Sequence, residues 1–290
     1  MKKFGLFIVF LSIALIVGCG DGSTSEEIPA VAEQEIRLTD AIPENPVNQP
    51  VAEGVFRRIW SDPPTLDPAL VSDTTSIGIV AEVFSGLVTL NTDLRLEPDL
   101  AESWEISSDG TVYTFKISEN AKFHNGKQVT ATDFKWSLER AANPQTVSPV
   151  AETYLNDIVG VMDVIEGRAS EITGIKVIDD RTLQITIDAP KAYFLAKLTY
   201  PTAFVVDREN VESGGQTWTD EINGTGPFKL KEYKIGERIV LERFDNLDEN
   251  AGGVDLIVMN LAGGQSMAMY ENNEIDITGV GLFDLVRVLD

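Results

Sequence analysis

The chain has 290 residues, a formal net charge of −23, 43% hydrophobic content and a single cysteine. So large an acidic excess excludes a nucleic-acid binder, whose partner phosphates demand Lys and Arg, and one cysteine excludes an intramolecular disulfide. The apolar fraction must therefore supply the core unaided, over a length that suits one large domain or two small ones.

In chain order, Met1-Lys2-Lys3 gives a positive start, followed by an apolar run from Phe4 to Val17. As a helix this run spans about 21 Å, short of the roughly 30 Å hydrocarbon core, so a cleaved signal segment over 1–18 is expected. Ile16-Val17-Gly18-Cys19 resembles a bacterial lipobox, which implies lipidation of Cys19 and a membrane anchor; the other reading of Cys19 is an ordinary small apolar residue. Gly20 after Cys19 does not resemble the common aspartate retention signal. Residues 19–53 hold acidic residues, four prolines and no aromatic residue, a composition that predicts a disordered tether.

From there strands and helices alternate. Val55 to Trp60 reads as a strand, and Thr75 to Leu87 carries apolar residues at helical spacing. Val112 to Ile117 follows an Asp109-Gly110 turn, and Asn125-Gly126 marks a second turn. Thr130 with Asp133 predicts a helix start, with Ala131, Phe134, Leu138 and Ala141 on one stripe. Val150 to Glu166 is read as one longer helix ended by Gly167. Ile175 to Ile178 and Thr182 to Ile187 form a strand pair across Asp179-Asp180. After Pro190 come a short helix, a strand around Phe204-Val205-Val206 and a loop at 222–226. Pro227 to Tyr233 and Arg238 to Phe244 read as a hairpin about Gly236. Strands at Val254 to Leu261 and Ile275 to Thr278 flank a helix near Ser266 to Asn272. Hairpins mixed with strand–helix alternation define an α/β or α+β chain with a mixed sheet.

The runs DPPTLDP (62–68), VFSGL (83–87) and LEPDLAESW (96–104) closely resemble the extracellular solute-binding family 5, the oligopeptide, dipeptide and nickel receptors of ABC importers. The likeness continues through DGTVYTF (109–115), NAKFHNG (120–126), VTATDF (129–134), NGTGPF (223–228), IVLER (239–243) and EID (274–276). Each motif alone is weak; their common order over 55–290 is strong. The resemblance implies a periplasmic-binding-protein-like type II fold, with lobe one at 54–85 and 190–278 and an extra subdomain at 86–189. Family members are about twice this length. On that basis the chain is expected to be the front portion of a longer protein, with 279–290 opening a second lobe.

The implied function is binding without bond-making: a receptor, expected to be a monomer, takes an extended oligopeptide between its lobes by strand addition and closes like a hinge. It delivers this cargo to ABC permease and ATPase subunits from the extracytoplasmic side of the bacterial membrane. Position by position, Ser72, Asp73 and Thr74 match the family's cleft strand, or else form a solvated turn before the next helix. Asn223, Gly224, Thr225 and Gly226 either let a ligand approach the backbone or serve a tight turn. Gly279 and Val280 match the crossing to the second lobe. Ser148-Pro149 is followed by Val150 where some relatives carry an aromatic. A different class remains open, a surface lipoprotein that reuses the same lobe for adhesion, signalling or assembly.

Enzyme chemistry finds little support. Gly264-Gln-Ser-Met-Ala268 loosely matches a nucleophile elbow but ends in Ala268, and the single histidine, His124, precedes the serine; Ser266 is read as a helix N-cap. One histidine and one cysteine make a zinc site poor, Asp245-Asn246-Leu247-Asp248 departs from a calcium loop, and no phosphate-cradling glycine motif occurs. No metal and no cofactor are expected.

Overall fold

The computed structural model of the protein describes residues 54–244 and 253–289. The expected signal segment, Cys19, the expected tether and the Asp245 to Asp248 run lie outside the described residues. Two four-stranded sheets organise them. The first runs in the order β1 (Gly54–Ile59), β10 (Val254–Asn260), β9 (Arg238–Arg243), β8 (Phe228–Lys234). Its β1–β10 pair is parallel and the rest antiparallel. The second is wholly antiparallel, in the order β4 (Ala101–Ile106), β5 (Val112–Ile117), β7 (Thr182–Thr186), β6 (Ile175–Asp179). A small hairpin, β2 (Val88–Leu90) with β3 (Leu96–Pro98), joins them in sequence.

Each sheet has its own core. Ile79, Val80 and Val83 of helix α1 (Thr74–Val83) pack with Ile239, Leu241 and Met259 of the first sheet. Phe134, Leu138 and Ala141 of helix α2 (Ala131–Ala142) pack with Phe115, Leu183 and Ile185 of the second. Full burial of such a side chain stabilises the fold by roughly 1.5–3 kcal/mol.

Local chemistry explains the boundaries. Thr130 and Asp133 form the reciprocal capping box of α2: Asp133 N–H donates to Thr130 Oγ1 at 3.3 Å, and Thr130 N–H donates to Asp133 Oδ2 at 2.9 Å. Thr130→Ala is expected to lower stability by about 1 kcal/mol, measured as a shifted urea midpoint. The Asp109-Gly110 turn joins β4 to β5, with Gly110 at φ +72°. Asp109 accepts from Thr111 N–H at 3.1 Å.

Four expectations differ from the structure. Residues 150–166 form two short helices, α3 (Ala151–Leu155) and α4 (Val161–Ile165), instead of one. Between them Val159 N–H donates to the Thr186 carbonyl at 3.0 Å and Val159 accepts from Gly174 N–H at 2.8 Å, so the segment leaves the helix to pair beyond β7. Gly160 then takes φ +85°, where a side chain would meet Thr173. Phe204-Val205-Val206 is extended and buried but belongs to no sheet. Its amides go instead to the Ser85 carbonyl (3.1 Å) and Ser137 Oγ (3.0 Å). Ile275 to Thr278 is not a strand either. It lies along the free edge of β1, giving one main-chain bond from Asp276 N–H to the Arg57 carbonyl (2.9 Å). The Asp276 carboxylate accepts Arg57 N–H at 2.6 Å, standing in for the next rung. Finally, α7 (Ser266–Glu271) has Gln265 as its cap residue, so Ser266 is the first helical residue and not the cap. After Phe194–Lys197 (α5) and Arg208–Gly214 (α6), the described chain ends in α8 (Leu282–Leu289), none of whose residues is buried.

Candidate functional site

The segment leading to Ser72 turns at residues 68–70, where Leu70 N–H donates to the Asp67 carbonyl at 2.9 Å, and is propped from several sides. Leu66 and Val71 anchor it in the first core. The Asp67 carboxylate accepts Ala69 N–H at 3.0 Å and pairs through both oxygens with the guanidinium of Arg140 at the end of α2, one contact measuring 3.0 Å. Ser148 Oγ donates to the Ala69 carbonyl, and Tyr200 Oη donates to the Val71 carbonyl at 3.2 Å. Tyr200 is itself fixed by stacking on Tyr154, with ring centroids 3.7 Å apart. Burial pushes its hydroxyl pKa above the ordinary value. Asp73 caps α1, its Oδ1 accepting Ser76 N–H at 2.8 Å.

The outcome is an exposed Ser72 and Thr74 on a braced backbone. Among the described residues no hydrogen bond engages the main chain of Ser72, and Thr74 opens a helix, where the first amides lack intrahelical partners. A short stretch with open main-chain groups, extended at Asp73, can pair with the main chain of another chain. Beside it, Val147 is exposed at φ +55°. Such a conformation costs a β-branched residue about 1–3 kcal/mol and persists only where neighbours hold it; Ser148, next in sequence, makes the bond to Ala69.

The second candidate segment is built differently. Gly224, Thr225 and Gly226 are buried. Thr225 and Gly226 N–H groups donate to the Val83 carbonyl at 3.1 and 2.8 Å, and Thr225 Oγ1 accepts Ser85 N–H at 3.0 Å. His124 N–H donates to the Gly224 carbonyl at 2.8 Å. Asn223 accepts Asn125 N–H at 2.9 Å and donates to Asp207 at 2.6 Å. The loop thus ties the C-terminal end of α1 to the Asn125-Gly126 turn, whose Gly126 sits at φ +90°. Ser72 to Thr74 lies at the other end of this ten-residue helix, about 15 Å away at 1.5 Å per residue. The structure does not bring the two segments together. Gly279 lies in a third place, lining a cavity of about 390 Å³ with Arg58 and Ser266, and Val280 is exposed.

His124 carries the most perturbed base near the loop. Its Nε2 lies 3.0 Å from the Gly226 carbonyl, its ring packs edge-on to Phe244, and its buried Nδ1 has no partner. Burial, opposed by the Gly226 bond and aided by Lys229, brings its pKa down to about 4. A depressed histidine pKa means the unfolded chain binds the proton first. Its contribution to stability is complete above the ordinary value of 6.5 and is lost as pH falls towards 4. Asp99 acts in the opposite sense. Burial pushes its carboxyl up to about 6, so its contribution is present below about 4 and lost as pH rises through 6. The two oppose each other in the wild-type curve. The wild-type minus His124→Gln stability difference isolates the histidine and should shrink by about 3 kcal/mol between pH 7 and pH 4; chemical denaturation at both pH values measures it.

Arg140, Tyr154 and Tyr200 escaped the sequence reading as supports of the Ser72 segment. Tyr154 follows Ser148-Pro149 by a few residues, and that aromatic was the one available signal. Among the described residues no cluster of His, Cys, Asp and Glu converges as a metal site, and no helix is long and apolar enough to cross a membrane.

The mixed α/β architecture with two separately cored sheets resembles the fold of solved periplasmic binding proteins. The family of bacterial extracellular solute-binding proteins, family 5 (middle region), matches residues 95–286, and the chain belongs to it. The periplasmic oligopeptide-binding protein OppA of Escherichia coli is 35% identical over 233 residues, covering 77% of this chain and 42% of OppA. The probable deoxycholate-binding periplasmic protein YgiS of the same organism is 32% identical over 247 residues, covering 81% and 46%. The structure of the E. coli murein tripeptide binding protein MppA superposes with a TM-score of 0.74 at 30% identity, covering 82% of this chain and 48% of MppA. The chain spans less than half the length of each. Each of these relatives is named as a binding protein.

Proposed function

We propose that the chain is the peptide-capturing lobe of an extracytoplasmic receptor, which takes short peptides in extended form, breaks no bond in them, and passes them to an ABC permease and its ATPase subunits. The observation that carries this reading is the braced segment 66–74, with open main-chain groups at Ser72 and Thr74. Main-chain pairing there gives affinity without dependence on side-chain identity. The names of OppA and MppA, an oligopeptide binder and a murein tripeptide binder, support the same cargo class.

In this reading residues 54–85 with 190–278 form one lobe and 86–189 an added subdomain. Support comes from the two cores, which divide along similar lines except that Ala69, Phe194, Leu198, Ala203 and Val205 pack with the subdomain core. Gly279 and Val280 lead towards an opposing lobe that closes over the ligand, and Cys19, lipidated after removal of 1–18, holds the receptor at the membrane.

The YgiS likeness favours a second reading, in which the cargo is an amphipathic steroid acid. Calorimetric titration of the full-length protein with mixed short peptides and with deoxycholate separates the two. Micromolar or tighter binding of peptide, recovered intact by mass spectrometry, is expected. Heat from deoxycholate alone would support the second reading, and cleaved peptide would exclude a pure receptor.

A further inference from the structure

A cavity of about 500 Å³ opens at the C-terminal end of α1, about 15 Å along that helix from Thr74. Its size falls within the roughly 300–1,000 Å³ typical of small-molecule sites. Phe84, Leu100, Phe204 and Phe244 supply an apolar lining, and two charged side chains, Asp99 and Lys122, share the same walls.

The charges are arranged unusually. Asp99 Oδ2 accepts Gly86 N–H at 3.1 Å, with the Ser85 hydroxyl also beside it, but no cation acts on it. A carboxylate withdrawn from water without a counter-ion is costly, and burial pushes its pKa up to about 6. Lys122, half-buried, takes part in no ion pair among the described residues. A ligand that brought only an ammonium would satisfy Asp99 and face Lys122 with like charge. One that brought only a carboxylate would do the reverse. A ligand bearing both, on a small apolar body, complements the whole lining.

We propose that this cavity is a second ligand site, separate from the Ser72 segment, for a free zwitterionic amino acid with an apolar side chain. Its ammonium sits on Asp99, its carboxylate faces Lys122, and its side chain lies among Phe84, Leu100, Phe204 and Phe244.

The test is titration of the protein with L-phenylalanine, phenethylamine and 3-phenylpropionate, followed by calorimetry or nuclear magnetic resonance. Phenylalanine should bind at least tenfold more tightly than either half-ligand, and Asp99→Asn should weaken it at least tenfold. Should Asp99→Asn fail to fold, Lys122→Met serves instead: phenylalanine and phenethylamine should then bind alike. No saturation by phenylalanine at about 10 mM, phenethylamine binding as tightly as phenylalanine to the wild type, or displacement of phenylalanine by a short peptide would each overturn the proposal. Because the peptide titration reads a different segment, failure here leaves that reading standing, and the converse also holds.

Discussion

Gly224→Ala is expected to lower the stability of the protein by about 3 kcal/mol or more. Gly224 does not adopt a positive φ, so the backbone conformation itself would accept alanine. Space is the obstacle. A Cβ there would lie 2.1 Å from the Val83 carbonyl oxygen and 3.0 Å from the His124 ring. The carbonyl cannot withdraw, since it already accepts from both Thr225 and Gly226. Overpacking of a fixed site typically costs about 1–3 kcal/mol, and a main-chain clash belongs at or above the upper end. Gly279→Ala is the matched control: no atom lies within 4 Å of its added methyl, and a change within about 0.5 kcal/mol is expected. Urea denaturation of the two variants decides the matter. Equal midpoints would mean that the 223–226 loop is looser than its hydrogen bonds imply.

Arg140→Met should have an effect of similar size by a different mechanism. Arg140 and Asp67 are largely buried, with side-chain exposures of 15% and 7%. Removing the cation strands a buried carboxylate, which costs about 3–5 kcal/mol. The double variant Arg140→Met with Asp67→Asn should recover part of that loss, because no uncompensated charge remains; denaturation midpoints of the single and double variants test this. The pair also joins α2 to the segment that presents Ser72. Peptide affinity of Arg140→Met, measured at a temperature where the variant is folded, should fall as well, through a looser backbone rather than a lost contact.

Much of this architecture was readable because local chemistry and tertiary context agree. Thr130 with Asp133, Asp109-Gly110, and Gly236 between β8 and β9 each act through neighbours a few residues away, and each appears where the sequence placed it. The errors fall where distant partners decide. Residues 150–166 are helical in pattern, yet Val159 is claimed by Thr186 and Gly174. Phe204 to Val206 has the composition of a strand but meets Ser85 and Ser137 instead of a sheet edge. Asp276 replaces a rung of β1 with its side chain, a substitution that no periodicity reveals. The candidate site was legible through family resemblance more than through pattern. Ser72 to Thr74 shows no composition of its own, and its bracing by Arg140, Ser148 and Tyr200 spans 73, 79 and 129 residues of sequence.

Amide hydrogen exchange at Ser72 to Thr74, followed with and without a bound short peptide in the full-length protein, is the measurement closest to the central claim. In the free protein these amides should exchange fast, while Thr225 and Gly226, bonded to Val83, exchange slowly. Peptide should slow exchange at Ser72 to Thr74 and leave the 223–226 loop unchanged. Peptide that binds tightly while Ser72 to Thr74 exchange as fast as before would contradict capture by main-chain pairing at this segment.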